Sequence, residues 1–351
     1  MTQDPIPLTD LLPGEIAAAL GLKPFQGNQI FRWLHQKRLC DFDAMTNLAK
    51  PLRETLRARC IPCQIEPVKT SDSPGGTRKV LFRLRDGETI ESVLLRDRDR
   101  VTLCLSTQVG CPIKCLFCAT GQGGFARNLT PGEIVEQALR LLENEDLEGR
   151  TPNIVYMGMG EPFRNYDAVA KSIRLLMCPE GLGIGARRIT ISTAGDIPGI
   201  RRFAGEPWQV RLAVSLHAAN DDLRSKLVPL NRKYGLRTLM ATVRDYAKAT
   251  GRQVSFEYVL LHGVNDSPAQ ARELAGLIRG LDAVVNLIAY NTVAGAEFSA
   301  PPTAVCETFK KALLDSGVKA TLRQERGGDI NAACGQLRRA SKNNEKAKNG
   351  D

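Results

Sequence analysis

The chain has 351 residues, which is enough for one large α/β domain and a smaller appended unit. Apolar residues make up 43% and charged residues 25% of it, as in ordinary soluble globular proteins, and no run of apolar residues approaches the length of a membrane span. The formal net charge of +10 favours a polyanionic partner such as a nucleic acid, and the first thirty residues lack a signal-peptide pattern, so we expect a cytosolic monomer.

Residues 1–98 form a first predicted unit, an accessory and RNA-binding domain. Its hydrophobic periodicity predicts three short helices, at 8–20, 27–37 and 51–57. Two strands at 79–84 and 89–95 follow, and Asp86-Gly87 between them indicates a hairpin. The aromatic residues Phe31, Trp33 and Phe42 alternate with basic residues, which leaves a nucleic-acid face open, but we interpret them as the core of a small helical domain.

Residues 99–337 form a second predicted unit with a regular alternation of strands and helices. The predicted strands lie at 101–108, 153–159, 188–193, 210–216, 254–261 and 284–290. The predicted helices begin with a capping-box pattern at Thr130-Pro131-Gly132-Glu133 and continue near 166–177, 197–204, 235–249, 268–279 and 303–316. Residues 338–351 form a third segment, which we expect to be a disordered basic tail.

Apolar strands joined by helices indicate a parallel sheet covered by helices, either open and doubly wound or closed into a partial barrel. Polar clusters come at the carboxyl ends of successive strands, namely Cys111–Cys118, Gly158–Glu161, Ser192-Thr193, Ser215–His217 and Asn291. A ring of functional groups at that edge is typical of a barrel, so we predict a partial (β/α)6 barrel of the TIM type.

Three of the ten cysteines have the spacing C-x3-C-x2-C, at Cys111, Cys115 and Cys118. This spacing lets three thiolates converge on one face of a short loop, and no fourth Cys or His follows closely. The pattern favours an iron–sulfur cluster with one open iron; a zinc site completed by Cys104, or three unliganded thiols, are the alternatives. The lone pair Cys60 and Cys63 has no second pair, so we interpret its spacing as incidental.

Taken together, these motifs make the chain resemble radical S-adenosylmethionine (SAM) enzymes, and among them the RlmN/Cfr family of rRNA adenine methyltransferases. The resemblance covers residues 27–337 and depends on the segments Cys104–Cys111, Cys111–Cys118, Gly158–Pro162, Ser215–Asn220, Phe256–Leu261 and Asp329–Leu337. It implies a [4Fe-4S] cluster on Cys111, Cys115 and Cys118, with SAM chelating the open iron. It also implies SAM contacts, which match this sequence at Gly160, Glu161, Ser192, Ser215, Leu216, His217 and Asn291.

The resemblance assigns three further residues to the chemistry. Cys334 would accept a methyl group from a first SAM, and a radical formed from a second SAM would activate that methyl group for addition to adenine. Glu91 would remove the proton from the adenine carbon, and Cys104 would form a disulfide with Cys334 as the product leaves. Without the resemblance, Glu91 in a hairpin strand would be interpreted as a solvated carboxylate, and Cys334 as an inert thiol. Asn331 stands where the family usually has Asp.

The implied reaction is methylation of adenine C2 in 23S rRNA, and also of an anticodon-loop adenosine in tRNA. Methylation at C8, as in the Cfr branch, is the near alternative, and Phe125–Leu129 with the helical N-terminal unit favours C2. A zinc-stabilised RNA-binding module without catalysis is the hypothesis from another class. The enzyme would also need an electron donor such as flavodoxin or ferredoxin.

Overall fold

The computed structural model describes residues 4–98, 100–147 and 149–339. The basic tail predicted from residue 338 lies outside the described residues from residue 340 onward. The strands are β1 Ile6–Pro7, β2 Cys60–Ile61, β3 Ile65–Ser73, β4 Thr77–Leu84, β5 Thr89–Asp97, β6 Arg100–Cys104, β7 Gln108–Gly110, β8 Phe125–Asn128, β9 Asn153–Tyr156, β10 Ile189–Thr193, β11 Arg211–Ser215, β12 Val254–Leu260, β13 Ala283–Ala289 and β14 Lys319–Arg323. The α-helices are α1 Pro13–Leu20, α2 Pro24–Phe31, α3 Lys50–Arg59, α4 Ala119–Gln122, α5 Pro131–Leu141, α6 Tyr166–Met177, α7 Ile197–Ala204, α8 Asp221–Leu227, α9 Leu236–Thr250, α10 Pro268–Ile278 and α11 Thr303–Asp315.

A single 10-stranded sheet organises the molecule, in the order β14-β13-β12-β11-β10-β9-β6-β5-β4-β3. Neighbouring strands from β6 to β14 are parallel, and helices connect them, as the alternating pattern predicts. Strands β3, β4 and β5 extend the sheet in antiparallel pairing. The predicted partial barrel with an N-terminal accessory unit is therefore confirmed, although the sheet itself continues through the proposed boundary at residue 98.

The N-terminal unit contains three helices whose buried residues belong to the same hydrophobic core as the sheet. Phe31, Trp33 and Phe42 are all buried, which confirms that they belong to the core rather than to an exposed face. The hairpin between β4 and β5 is also confirmed, because the Leu84 N–H donates to the Glu88 carbonyl at 2.8 Å and Gly87 takes the positive φ of 82° that its turn requires.

Four local predictions were wrong or incomplete. The strand predicted at 101–108 is two strands, β6 and β7, and the helix predicted at 8–20 begins as an α-helix only at Pro13. The helix predicted at 27–37 is α-helical only to Phe31 and continues as a π-helical turn over Arg32–Gln36. The interpretation of the Cys60 and Cys63 spacing was incomplete: the two do not pair with each other and Cys60 is a free thiol, but Cys63 forms a disulfide with Cys40 across a sequence separation of 23.

Helix α5 joins the N-terminal unit to the barrel through polar side chains as well as through its buried apolar ones. Its capping box is present as predicted, with the Glu133 N–H donating to Thr130 Oγ1 at 3.1 Å. Glu136 is fully buried and accepts hydrogen bonds from Thr9 Oγ1 and from the Gln64 and Ile65 N–H groups at 2.5, 2.8 and 3.0 Å. Burial raises the pKa of Glu136 to about 7, although these donors oppose the shift.

Among the described residues, no helix combines the length and the apolar character needed to span a membrane.

Candidate active site

The loop that carries the three cysteines lies at the carboxyl end of the barrel strands and is held by its backbone. The Cys111 N–H donates to the Gly124 carbonyl at 2.8 Å, and the Leu116 N–H donates to the Leu227 carbonyl at 3.1 Å. Gly110, at φ 80°, makes the entry into this loop possible, because a Cβ there would lie 1.9 Å from the Gly124 oxygen. The backbone therefore fixes the direction in which the loop leaves β7.

Cys111, Cys115 and Cys118 pack on one small apolar cluster that includes Phe117 and Leu261. Burial raises the pKa of Cys111 to about 12, and burial together with the charges of the other two thiols raises the pKa of Cys115 well above its usual value. In the described part of the chain, no three His, Cys, Asp or Glu side chains stand in the arrangement of a preformed metal site.

The chemistry of the three thiols nevertheless fits an iron–sulfur cluster. They are soft ligands on one loop, in surroundings that penalise the free thiolate form. Coordination by a cation would compensate that penalty, because metal binding favours deprotonated ligands. A small adjustment of their rotamers would then be part of loading the cluster.

Glu161 is a buried carboxylate in the segment that follows β9. Its Oε2 accepts from the Ala194 N–H at 2.7 Å, and its Oε1 accepts from the Phe163 N–H at 3.2 Å. Burial raises the pKa of Glu161 to about 7, against the effect of these donors. Gly160 precedes it at φ 107°, and a Cβ there would approach Gln108 Cβ to 2.7 Å. The remaining lone pairs of the carboxylate are available to an ammonium group.

Strands β10 and β11 place two hydroxyl groups side by side at the same rim. Ser192 Oγ and Ser215 Oγ are 3.2 Å apart, and Leu216 follows with a fully buried side chain. His217 then takes a left-handed conformation with φ 62°. These residues form one short arc of the rim.

The imidazole of His217 is neutral and fixed in orientation. Its Nδ1 accepts from the Val259 N–H at 3.1 Å, so the proton lies on Nε2, and burial lowers the pKa of His217 to about 3. Its ring contacts the edge of Phe117 at a centroid distance of 4.8 Å. The histidine therefore connects the barrel rim to the cysteine loop.

Arg224 on α8 holds the backbone of these rim residues through hydrogen bonds. The sequence analysis did not identify this residue. It is 1% exposed, and its guanidinium donates to the carbonyls of Leu216, Ala194 and Ser215 at 3.0, 2.7 and 3.1 Å. A fourth bond reaches Asn231 Oδ1 at 2.8 Å. An isolated arginine in a short amphipathic segment has no sequence signal that separates it from a surface residue.

Glu91 and Cys104 share one face of the sheet because of strand register. Cys104 lies directly opposite Val93, and Glu91 is two residues before Val93, so all three side chains point to the same side. Glu91 is buried, contrary to the interpretation of an isolated hairpin carboxylate.

Cys334 lies in the segment that follows β14, close to Cys104 and to the cysteine loop. Burial first, and then the charge of Cys334, raise the pKa of Cys104 to about 12, so the two thiols interact. Asn291 Nδ2 donates to the Cys334 carbonyl at 3.1 Å, and the Ala119 N–H donates to the Gly335 carbonyl at 2.8 Å. Cys104 and Cys334 are free thiols, and Cys334 is exposed to solvent. The structure thus brings residues of the cysteine loop, the rim and the C-terminal segment together.

A second group that the sequence analysis did not assign lies on β12, where Glu257 is opposite Ser215 of β11. Glu257 is buried, and its Oε1 accepts from Asn286 Nδ2 at 2.9 Å and faces Arg323 at 3.4 Å. Its Oε2 has no hydrogen-bond partner among the described residues.

Comparisons with known proteins agree with this geometry. Residues 105–275 match the model of the Radical SAM superfamily, and residues 14–61 match that of the ribosomal RNA large subunit methyltransferase N-terminal domain. The chain is 48% identical over 350 residues to a probable dual-specificity RNA methyltransferase RlmN of Moorella thermoacetica, covering 96% of this chain and 98% of that protein.

Two further proteins are similar over most of their length. A dual-specificity RNA methyltransferase RlmN of Syntrophotalea carbinolica is 46% identical over 325 residues, which cover 92% of this chain and 86% of the relative. The crystal structure of a radical SAM methyltransferase from Sphaerobacter thermophilus superimposes with a TM-score of 0.92 at 50% identity, covering 95% of this chain and 99% of that one.

Proposed function

Because the chain belongs to the RlmN family of radical SAM RNA methyltransferases, we propose that it methylates C2 of an adenosine in 23S rRNA and of an adenosine in tRNA. The dual specificity in the names of its relatives supports two RNA substrates. The observation that carries the proposal is the convergence of three segments distant in sequence: Asn291 binds the Cys334 carbonyl, and Ala119 binds the Gly335 carbonyl.

Cys111, Cys115 and Cys118 would hold a [4Fe-4S] cluster, which, when bound, supplies the electron for reductive cleavage of SAM. The rim residues would bind and orient SAM, with the Glu161 carboxylate accepting from its ammonium group. The remaining contacts that we assign to SAM are Gly160, Ser192, Ser215, Leu216, His217 and Asn291. Neutral His217 can donate from Nε2, since its Nδ1 is already occupied.

Cys334 would carry the methyl group in the proposed reaction. Its thiolate attacks the methyl carbon of one SAM, and S-adenosylhomocysteine leaves. After a hydrogen atom is abstracted from the methyl group on the Cys334 sulfur and the resulting methylene carbon adds to adenine, Glu91 would remove the proton at C2. Cys104 would then attack the Cys334 sulfur, which forms a disulfide and releases the methylated base. The shared sheet face of Glu91 and Cys104 and the proximity of Cys334 support these roles.

The competing hypotheses have less support. A non-catalytic zinc module does not account for nearly full-length similarity to proteins named as methyltransferases. Methylation at C8 would use the same site residues, and the methylated nucleoside that forms distinguishes it from methylation at C2. We further propose that the enzyme acts in the cytosol as a monomer and receives electrons from a carrier such as flavodoxin or ferredoxin.

The test is nucleoside mass spectrometry after anaerobic reconstitution. The protein, with iron, sulfide, SAM and a reductant, is incubated with 23S rRNA fragments and with tRNA, and 2-methyladenosine is expected from both. Cys334→Ala should retain the visible absorption of the cluster and form no methylated RNA. Formation of 8-methyladenosine, or full activity of Cys334→Ala, would contradict the proposal.

A further inference from the structure

Lys79 binds both the proposed base and the segment that carries the proposed methyl acceptor. Its Nζ lies 2.9 Å from Glu91 Oε1 and donates to the Asn331 carbonyl at 3.1 Å. Asn331 is three residues before Cys334 in the chain. The sequence motifs did not predict a contact between Lys79 and the region around Asn331.

The register of β4 and β5 explains how the lysine reaches the carboxylate. Lys79 lies opposite Val93 and Leu81 lies opposite Glu91, so Lys79 and Glu91 are diagonal neighbours on one face. That face is the one on which Cys104 lies, through its pairing with Val93. A long side chain is required to span the diagonal, and lysine has the length.

The pair is enclosed rather than displayed at the surface. The Lys79 and Glu91 side chains are 13% and 10% exposed. The second carboxylate oxygen, Oε2, accepts from the Arg338 N–H at 2.8 Å. Both oxygens of Glu91 are therefore oriented by charge-assisted or backbone hydrogen bonds, and both partners tie the carboxylate to residues that flank Cys334.

The flanking segment is held at the same time from the barrel side. Thr120 Oγ1 donates to the Leu337 carbonyl at 2.5 Å, and Asn291 binds the Cys334 carbonyl. Asn331 itself has a left-handed φ of 53°, a conformation that asparagine tolerates better than most residues. Lys79 thus completes a set of contacts that fixes residues 331–338 between the hairpin and the cysteine loop.

We propose that Lys79 is a positioning residue for the release step, in which it orients Glu91 toward the C2 proton of the adenine attached to Cys334. This inference rests on the proposed function. In the balanced step, Glu91 accepts the C2 proton, and the cluster, when bound, would take back the unpaired electron left by the radical addition, so that the adduct is a thioether between Cys334 and the base. Cys104 then attacks the Cys334 sulfur as a thiolate. The bond between that sulfur and the methylene carbon breaks with its electron pair on carbon, which then takes a proton. The Cys104 thiol and the Cys334 thioether sulfur are together oxidised by two electrons to a disulfide, and the methylene group is reduced to methyl.

The experiment compares Lys79→Met, Lys79→Arg and a matched control, Lys69→Met, in the full-length reconstituted enzyme. Lys69 is exposed on β3 and lies opposite Leu81, so its replacement removes the same charge from the same sheet face. Three quantities are measured in a first turnover: methylation of Cys334 by peptide mass spectrometry, 5′-deoxyadenosine, and the covalent RNA–protein adduct on a denaturing gel.

Lys79→Met should slow release of methylated RNA by about tenfold to a hundredfold, the loss expected when an acid–base group is displaced. The adduct should accumulate, while Cys334 methylation and 5′-deoxyadenosine formation stay at the level of the unsubstituted protein. Lys79→Arg should recover part of the release rate, and Lys69→Met should behave as the unsubstituted protein. Glu91→Gln combined with Lys79→Met should be no slower than Glu91→Gln alone, because both changes affect one step.

Three results would overturn the inference. Release at the unsubstituted rate in Lys79→Met would show that Glu91 does not need the lysine. Loss of Cys334 methylation would assign Lys79 to the first methyl transfer. A weaker affinity for RNA without adduct accumulation would make it a phosphate contact. Failure of the proposed function itself would be recognised separately, because the unsubstituted protein would then form no methylated Cys334.

Discussion

Replacement of Arg224 by Met tests whether a buried cation holds the SAM-binding rim together. The guanidinium makes four hydrogen bonds, three of them to the backbone carbonyls of Ala194, Ser215 and Leu216. Burial lowers the pKa of Arg224 to about 10, which still leaves it charged at neutral pH. Methionine has a similar length and no donor, so the change removes the bonds while it leaves most of the volume filled.

The expected cost follows from the acceptors that lose their donor. At about 1 kcal/mol for each of the buried acceptors, the loss is roughly 4 kcal/mol, and the avoided desolvation of the guanidinium returns part of it. We therefore expect the free energy of unfolding to fall by about 3 kcal/mol. For a chain of 351 residues, with an unfolding entropy of about 2.1 cal/mol/K per residue, that corresponds to a decrease in Tm of about 4 °C.

The assay is calorimetric unfolding of Arg224→Met beside Arg237→Met, a change of an exposed arginine at the start of α9. Arg237→Met should change the stability by less than about 0.5 kcal/mol. Binding of S-adenosylhomocysteine, measured by titration calorimetry, should weaken only in Arg224→Met, because the carbonyls it holds flank the proposed SAM contacts. Equal stability and equal ligand affinity of the two variants would refute the reasoning.

Three other predictions concern stability and cofactor loading. Burial raises the pKa of Glu136 from 4.5 to about 7, so folding favours the neutral carboxyl group. The contribution of this group to the free energy of unfolding is complete below pH 4.5 and is lost as the pH rises through 7. The loss is at most roughly 3 kcal/mol. Glu136→Gln should flatten this part of the pH profile of the free energy of unfolding. Reduction of the Cys40–Cys63 disulfide, which closes a loop with a sequence separation of 23, should lower that free energy by about 3 kcal/mol in denaturant titrations. Gly110→Ala should bind less iron and sulfide on reconstitution, since its Cβ would lie 1.9 Å from the Gly124 oxygen.

Each of these has a control within the chain. Gly14→Ala should load the cluster normally, because no atom lies within 4 Å of a Cβ at that position. In Glu136→Gln some loss of stability with rising pH should remain, because burial raises the pKa of Glu161 in the same direction. Cys40→Ser should be as unstable as the reduced protein and insensitive to reductant. The prediction for Glu136 would be contradicted if Glu136→Gln left the pH profile unchanged. The prediction for the disulfide would be contradicted if Cys40→Ser were as stable as the oxidised protein. The prediction for Gly110 would be contradicted if Gly110→Ala bound its full content of iron.

The strands that the sequence analysis found and missed differ in their place in the sheet. Interior strands such as β10 and β12 are covered on both faces, so their apolar runs are visible in the sequence. Within the 10-stranded sheet, the two missed strands, β3 and β14, are its edges. Their side chains are largely exposed, and β3 contains Pro67 at a register shift, so neither has the composition of a buried strand.

The candidate site divides in a similar way. Residues that act through a short motif, such as the cysteines of the loop and the Gly160-Glu161 pair, can be predicted because their spacing carries the chemistry. Arg224 could not be predicted, since its partners are backbone carbonyls that have no sequence identity. The disulfide of Cys40 and Cys63 was likewise hidden, because two cysteines at that separation have no preferred pairing in sequence.

The contacts of Glu91 show why the remainder of the site requires the folded chain. Its partner Arg338 is 247 residues away in sequence, and the Lys79 contact with Asn331 spans 252 residues. Strand register and the return of the C-terminal segment across the sheet create both contacts, so no local pattern can contain them. The same geometry turns an apparently solvated carboxylate into an enclosed one beside Cys104 and Cys334. A base that must act only on an adduct attached to Cys334 is best oriented by contacts with the segment that carries Cys334. Of the two partners of the Glu91 carboxylate, Arg338 belongs to that segment, and Lys79 is bound to it through the Asn331 carbonyl.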